Sequence, residues 1–485
     1  MSSPAEVAVP GEADAYSARM PTRRVAVLGG GVAGLASALL LARGGHDVTL
    51  VERDPLPTGP PLESPTWPRR GISHFLQPHA FTARGCQELR QRLPDVHADL
   101  IASGAVVVEC GPKIPGGARP GDEDLQFLAV RRPLIEWALR RAVLAEAGVR
   151  VLADATVTGV QTERGQVTAV VVGGEQIGCE VVVDAMGRRT PIAGWLSEAG
   201  VDCPPVESSE CGVVYYSRYY RVRAGFDLPD GRWVLGPRGD LGYLGFSTFP
   251  GDNRTFAALL AVPRGVSEWR VLNDAEAFEA VVALIPGLRI WVNPEAVEPI
   301  TDVLPLAGMR NSLRVRGPGW PTEVFPVGDA LSHTDPVLAH GLSFGLIHAA
   351  AVTDALAAHE DLGWAMAAYD EAVLPELRRR YDLATELDSQ RFRGWSGEPV
   401  DFAHHDGDYA LFSIVAGGAA AMADADVFRV VMRRLGLLDS TLVLDDDLAM
   451  QQRIEQVFGQ MISRGAPPSG PSREELLTVA RAAAA

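Results

Sequence analysis

Lysine is almost missing from this chain. Lys113 is the only one among 44 basic residues, and the rest are arginine. Codon usage in a GC-rich genome accounts for such a bias, but it has a chemical consequence. Lysine-based catalysis would rest on one residue, which sits in a Pro/Gly loop (GPKIPGG). Cysteine is scarce too. Cys86, Cys110, Cys179, Cys203 and Cys211 are odd in number, and no two stand in a CxxC spacing. That pattern is neither a disulfide framework nor a zinc site, and it points to a reduced, cytoplasmic setting. Positive charge is in deficit, with 61 acidic residues against 44 basic and a net charge of −17. This argues against nucleic acid and against an anionic membrane surface, since both need a basic face. Uninterrupted apolar runs are absent as well. Residues 25–42 carry no charge and approach the ~18-residue length of a membrane span. Gly29, Gly30, Gly31 and Gly34 interrupt them, so the segment reads as strand, tight turn and helix, not as a span.

What is there is an ordinary globular composition, 47% hydrophobic and 22% charged over 485 residues. The length suggests about three domains and a core large enough to need no staples. Residues 1–21 hold acids and proline without an apolar stretch and are expected as a disordered leader, not a signal peptide. A strand is predicted at 24–28, a helix at 32–43 closed by Gly44-Gly45, and a second strand at 46–52, which makes one βαβ unit. Residues 54–70 are a Pro-rich loop, with helical stretches predicted around 78–92 and 132–147. Three strands are expected across 149–172 and a buried one at 181–183. From 212 to 262 the runs become alternating and aromatic (VVYYSRYYRV, RWVL, YLGFSTF, TFAALLAV), as in an antiparallel sheet inserted into the α/β part. A buried strand at 323–327 and a helix at 341–358 follow, and nearly everything after 363 is helical. Ser472 and Glu475 form a capping-box pattern. The fold class is α/β: a Rossmann-like domain over 22–200 and 301–375, an inserted antiparallel sheet over 201–300, and a helical region over 376–485.

Gly29-x-Gly31-x-x-Gly34 lies after a strand and opens a helix, where a dinucleotide fingerprint must lie. The first glycine permits the tight turn, the second admits a pyrophosphate, and the third lets helix and strand pack closely. Val32 and Ala33 start the helix, whose N-terminus offers free N–H groups and a positive dipole. Glu52 ends the second strand, 18 residues after Gly34, where a carboxylate accepts hydrogen bonds from ribose hydroxyls. Arg53 follows it. Downstream, Gly328-Asp329 closes a strand, Pro336 follows, and Gly341-Leu342-Ser343 opens a helix. This is a second phosphate- or ribose-binding device, with a helix dipole available to an electron-rich ring edge.

These motifs resemble the FAD-dependent group A monooxygenases of the p-hydroxybenzoate hydroxylase fold, over roughly residues 22–375. The GxGxxG with Glu52, the central Asp184–Gly187 motif and the Gly328-Asp329 motif match in order. Arg132, with Ile135 and Leu139, matches the family's Arg-x-x-Leu-x-x-x-Leu helix, whose arginine approaches FAD. Two departures stand out. Ala185-Met186 separates Asp184 from Gly187, and Ala339 replaces the first glycine of Pro-x-x-Gly-x-Gly. They bring the chain closer to a subgroup with polyether-type polyene epoxidases and other natural-product oxygenases, whose His-rich stretch near the flavin is matched by His79.

The resemblance implies FAD as cofactor, NAD(P)H as electron donor and O₂ as co-substrate. Reduced flavin would form a C4a-hydroperoxide that epoxidises or hydroxylates a hydrophobic polyketide- or terpenoid-like intermediate, with or without a separate flavin reductase. The helix dipole at Gly341–Ser343 would stabilise the reduced flavin's N1–C2=O edge, with His79, alongside His74 and His333, near the ring. Tyr216, Arg218 and Tyr220 share one face of a strand by period two and, with Trp233, Tyr243 and Phe246, are expected to line the substrate pocket. No metal site is expected: His404, His405, Asp406 and Asp408 have no partner at ligand spacing. A flavin halogenase is disfavoured, since that group needs a particular lysine and a Trp-x-Trp-x-Ile-Pro segment. A flavin-dependent C=C reductase and a non-redox cyclase that keeps FAD structurally stand as rivals.

Overall fold

The computed structural model describes residues 21–227, 236–400, 409–463 and 470–485. Its centre is a five-stranded, wholly parallel sheet in the order Val324–Pro326, Val181–Asp184, Arg24–Leu28, Asp47–Val51, Val149–Leu152. The strands are short and almost wholly apolar because both of their faces are buried in the main core. The Val32–Arg43 helix packs on one face, against the Arg132–Ala145 and Gly341–Ala358 helices. The Gly341–Ala358 helix is long and apolar enough to cross a membrane. Its sides are instead taken up by the Val32–Arg43, Ala83–Arg92 and Leu362–Trp395 helices.

Two sequence expectations shift. The strands across 149–172 divide between sheets. Val149–Leu152 joins the parallel sheet, while Val157–Glu163 and Gln166–Val172 pair antiparallel with each other and with Glu175–Gly178. Asp154, at φ 53°, turns the chain between them. The helix expected near 78 starts only at Ala83, because the preceding residues run extended, with Phe81 bridged to Leu128.

The insertion is a six-stranded antiparallel sheet. Strand Val213–Val222 pairs along its whole length with Thr255–Pro263, which pairs in turn with Gly245–Pro250. One face packs on the Ala275–Leu284 helix and forms a core of its own with Trp269, Phe278 and Val281. The other face turns toward the parallel-sheet part. Four longer helices follow: Leu362–Trp395, Tyr409–Ala421, Ala425–Leu435 and Leu448–Ser463. Asp447 caps the last of them, accepting from the Met450 N–H at 2.9 Å. Helix Arg473–Ala483 opens on the expected Ser472/Glu475 capping box. It docks back on Ala275–Leu284, and Leu476 and Ala480 are buried in the insertion's core.

Candidate functional site

A single cavity of about 1170 Å³ runs from the glycine-rich turn, past the inserted sheet, to the C-terminal helices. The turn at its nucleotide end is fixed by contact. Gly29 sits at φ +103°, and a Cβ there would lie 2.5 Å from the Ala185 carbonyl oxygen. A Cβ on Gly34 would lie 1.8 Å from the Gly29 oxygen, so Gly34 serves helix–strand packing and does not face the cavity. Gly31, Val32 and Ala33 do face it. Their helix has no side-chain cap and no acid in its first turn, so its leading N–H groups are left for a ligand.

Glu52 lines the same end. Its carboxylate accepts from the Gly30 N–H at 2.6 Å and the Asp54 N–H at 2.8 Å. Arg69 stands 3.4 Å from both Glu52 and Asp54 and 2.9 Å from Glu136. Glu136 is fully buried and also takes Arg132 at 2.8 Å. Burial alone would raise its carboxyl, but Arg69 and Arg132 overturn that and hold it down. Arg132 lines the cavity and pairs with His74 Nε2 at 2.8 Å. Arg53 lines it too. Arg69 and Glu136 escape sequence reading because their partners come from separate segments; the only local hint is the i,i+4 spacing of Arg132 and Glu136.

Gly187, Gly328, Asp329 and Pro336 lie on the cavity wall. Asp184 does not. Its fully buried carboxylate accepts from Thr190 Oγ1 at 2.7 Å and the Met186 N–H at 3.1 Å, which shapes the loop that presents Gly187. Asp329 faces His333 Nδ1 at 3.3 Å. Burial would raise Asp329, yet His333, His74 and Arg132 hold it well below the carboxylate range. The His74 ring stands 5.6 Å from His79 and 6.5 Å from His333. Burial and the Arg132 charge push His74 down to about 2 and His79 to about 3, so both are neutral near pH 7. His79 Nδ1 is 2.7 Å from the Gln77 carbonyl oxygen, which assigns the proton to Nδ1.

Helix Gly341–Ala358 opens on the cavity with Gly341 and Leu342, again without a side-chain cap or an acid in its first turn. The Ser343 side chain is turned away. Its Oγ accepts from the Thr82 N–H at 3.0 Å, so it ties this helix to the start of Ala83–Arg92. Ala339, the departure from glycine, sits at φ +55°.

The inserted sheet presents the face opposite to the one expected. Tyr216, Tyr220 and Tyr243 belong to the outer core, Arg218 pairs with Glu279 at 2.7 Å, and none of the four reaches the cavity. Period two groups residues by face without saying which face meets the rest of the protein. Here the Ala275–Leu284 and Arg473–Ala483 helices claim the Tyr216 side. Phe246 is on the wall, and Trp233 lies outside the described residues, as do His404, His405, Asp406 and Asp408. The inward face carries Tyr215, Ser217 and Tyr219. Ser217 Oγ donates to Gln77 Oε1 at 2.9 Å. Tyr215 donates to Asp335, which Arg391 holds at 2.7 Å. Arg391 also pairs with Asp388, whose other oxygen accepts from Asn311 Nδ2 at 2.9 Å. Burial and Asp335 push Asp388 up to about 8. Cys211, Asp335 and Asp388 lie close enough to hold a metal ion, but Arg391 and Asn311 already occupy the carboxylates.

Residues 24–196 match the family model described as FAD dependent oxidoreductase. The chain is 27% identical over 364 residues to "Protein Rv3254" of Mycobacterium tuberculosis, covering 70% of this chain and 74% of that protein. Among solved structures it is similar to PqsL, a probable FAD-dependent monooxygenase from Pseudomonas aeruginosa. That match has a TM-score of 0.56 and 18% identity, over 78% of this chain and all of the other. It is also similar to the flavin-dependent brominase Bmp2, with a TM-score of 0.55 and 16% identity, over 92% of this chain and all of the other. The residues present fit FAD. The uncapped Val32–Arg43 helix start would take a pyrophosphate, and the Glu52 carboxylate keeps lone pairs for a ribose. The uncapped Gly341–Ala358 helix start lies farther along the same cavity.

Proposed function

We propose that this FAD-dependent oxidoreductase is a monooxygenase that draws electrons from NAD(P)H and inserts one atom of O₂ into a hydrophobic substrate, by epoxidation or hydroxylation. The observation that carries the reading is the continuity of the cavity. One space joins the nucleotide-binding turn to apolar walls from the sheet and the C-terminal helices. When bound, FAD supplies the redox chemistry. The chain's own residues do the rest. The Gly31–Ala33 amides hold the pyrophosphate and Glu52 the ribose. The Gly341 helix start aims N–H groups and a positive dipole into the cavity, where they favour negative charge. Neutral His74 and His79 beside Arg132 line the wall without adding charge. Phe246, Phe249 and Leu306 exclude water from the reacting space. Lys113 does not reach the cavity, which favours oxygen insertion over halogenation.

The test is a stopped-flow experiment on the purified holoenzyme. NADPH or NADH, alone or with a flavin reductase, should bleach the flavin. Admitting labelled O₂ with substrate should then place one labelled oxygen in the product. Turnover of substrate without any flavin reduction would overturn the proposal in favour of a non-redox cyclase. Consumption of NAD(P)H with a saturated, unlabelled product would favour a C=C reductase.

A further inference from the structure

The far arm of the cavity is walled by apolar side chains from the C-terminal helices, among them Leu383, Leu411, Ile414, Val431 and Phe458. Two guanidiniums stand in this apolar wall, Arg380 and Arg434, which are 3% and 6% exposed. Burying such a charge is costly unless it is paired.

The Ala425–Leu435 helix shows what pairing looks like. Arg429 bonds Asp122 at 2.9 Å, and Arg433 bonds Asp439 at 2.9 and 3.0 Å. Arg434, next along, differs. Its Nε and Nη2 are buried and make no hydrogen bond among the described residues. Glu376 is a nearby half-buried acid, and it is already engaged. It takes Arg380 Nε at 2.7 Å, Ser440 Oγ at 2.9 Å and the Thr441 N–H at 3.1 Å. The fields of Tyr409 and Asp445 also reach Arg434, but Asp445 is solvent-exposed and neither group bonds its Nε or Nη2. The position of Arg434 in the last turn of its helix eases the charge through the dipole but gives its Nε and Nη2 no acceptor.

Resting on the reading of this cavity as an oxygenase substrate site, we propose that the far arm binds an anionic amphiphile, a carboxylic acid with an aliphatic body. Its carboxylate is held by Arg434 with Arg380 beside it, and its chain lies along the leucine-rich wall. The unpaired guanidinium supplies the charge-assisted hydrogen bonds. The wall supplies burial for the chain. Burial pushes both guanidiniums down, Arg380 to about 10, and an arriving carboxylate relieves that penalty.

The test is calorimetric titration of the holoenzyme with octanoate, octan-1-ol and octylammonium near pH 8. Octanoate is expected to bind about tenfold or more tighter than the alcohol, as charge-assisted hydrogen bonds provide, and octylammonium weakest. Arg434→Met should bring octanoate to the level of the alcohol while leaving flavin content and octan-1-ol binding unchanged. Arg434→Lys should keep part of the preference. Equal binding of acid and alcohol, a preference for the ammonium, binding of none, or indifference to Arg434→Met overturns the proposal. Should Arg434→Met fail to fold, the three-ligand series on the unaltered enzyme decides alone. The readout needs no turnover. Octanoate held through Arg434 in an enzyme that never incorporates oxygen leaves the anion site standing and removes the oxygenase. Oxygenation of neutral substrates alone does the reverse.

Discussion

Ala339 holds a left-handed backbone, φ +55°, in the turn between the Pro336–Leu338 segment and the Gly341 helix start. An L-residue pays sterically there and glycine does not. Ala339→Gly is therefore expected to raise stability by about 0.5–1 kcal/mol with flavin retained, as urea unfolding followed by flavin fluorescence would report. A loss of stability would show that the methyl group packs usefully. Asp184 offers a second residue-level test, through pH. Burial raises it to about 6, above its ordinary 3.8. The folded state thus keeps a proton that the unfolded state has released. Its share of stability is full below pH 4 and lost as pH rises through 6. The stability of the native protein minus that of Asp184→Asn should fall by about 2 kcal/mol between pH 4 and pH 6.5. A flat difference would mean the carboxylate is ionised throughout. The residues legible in the sequence were the local ones: Gly29, Gly31, Gly34 and Glu52 follow one another within one βαβ unit. Arg69, Glu136, Gln77, Asp335 and Arg391 were not legible, because each acts through a partner brought in by the fold.

At the scale of elements, strand Val213–Val222 is the instructive case. Its alternation was plain in the sequence, but parity alone does not assign a face to solvent, helix or cavity. The structure gives the cavity Tyr215 and gives the outer core Tyr220. Tyr215→Phe should cost about 1–3 kcal/mol, since buried Asp335 loses a donor, and should raise KM for substrate. Tyr220→Phe should leave KM and kcat unchanged. Steady-state kinetics with thermal melts on both variants checks this, and a KM effect confined to Tyr220→Phe would reverse the assignment of faces. The parallel sheet was easier to foresee. Strands buried on both sides must be apolar throughout, and VVVD and RVAVL say so without any knowledge of their neighbours. The hydrogen-bonded register, which places Asp184 beside Leu28 and Pro326, came only with the fold.

On the scale of the whole molecule, three regions of the chain share one cavity, and the last described helix fastens one of them. Helix Arg473–Ala483 fills the insertion's core with Leu476, Leu477 and Ala480. Leu476→Ala should lower stability by about 2–5 kcal/mol. Limited proteolysis should then cut first within the inserted sheet, and a first cut in the parallel-sheet part would contradict the packing. The same docking has a consequence for biosynthesis. The Ala275–Leu284 helix leaves the ribosome long before its partner exists, and at ~5–20 residues per second the interval is on the order of ten seconds or more. Through that interval the nascent insertion presents an unfilled apolar groove. A growing chain of this kind is a natural client for ribosome-associated chaperones, and slowing translation between the two helices should lengthen that dependence.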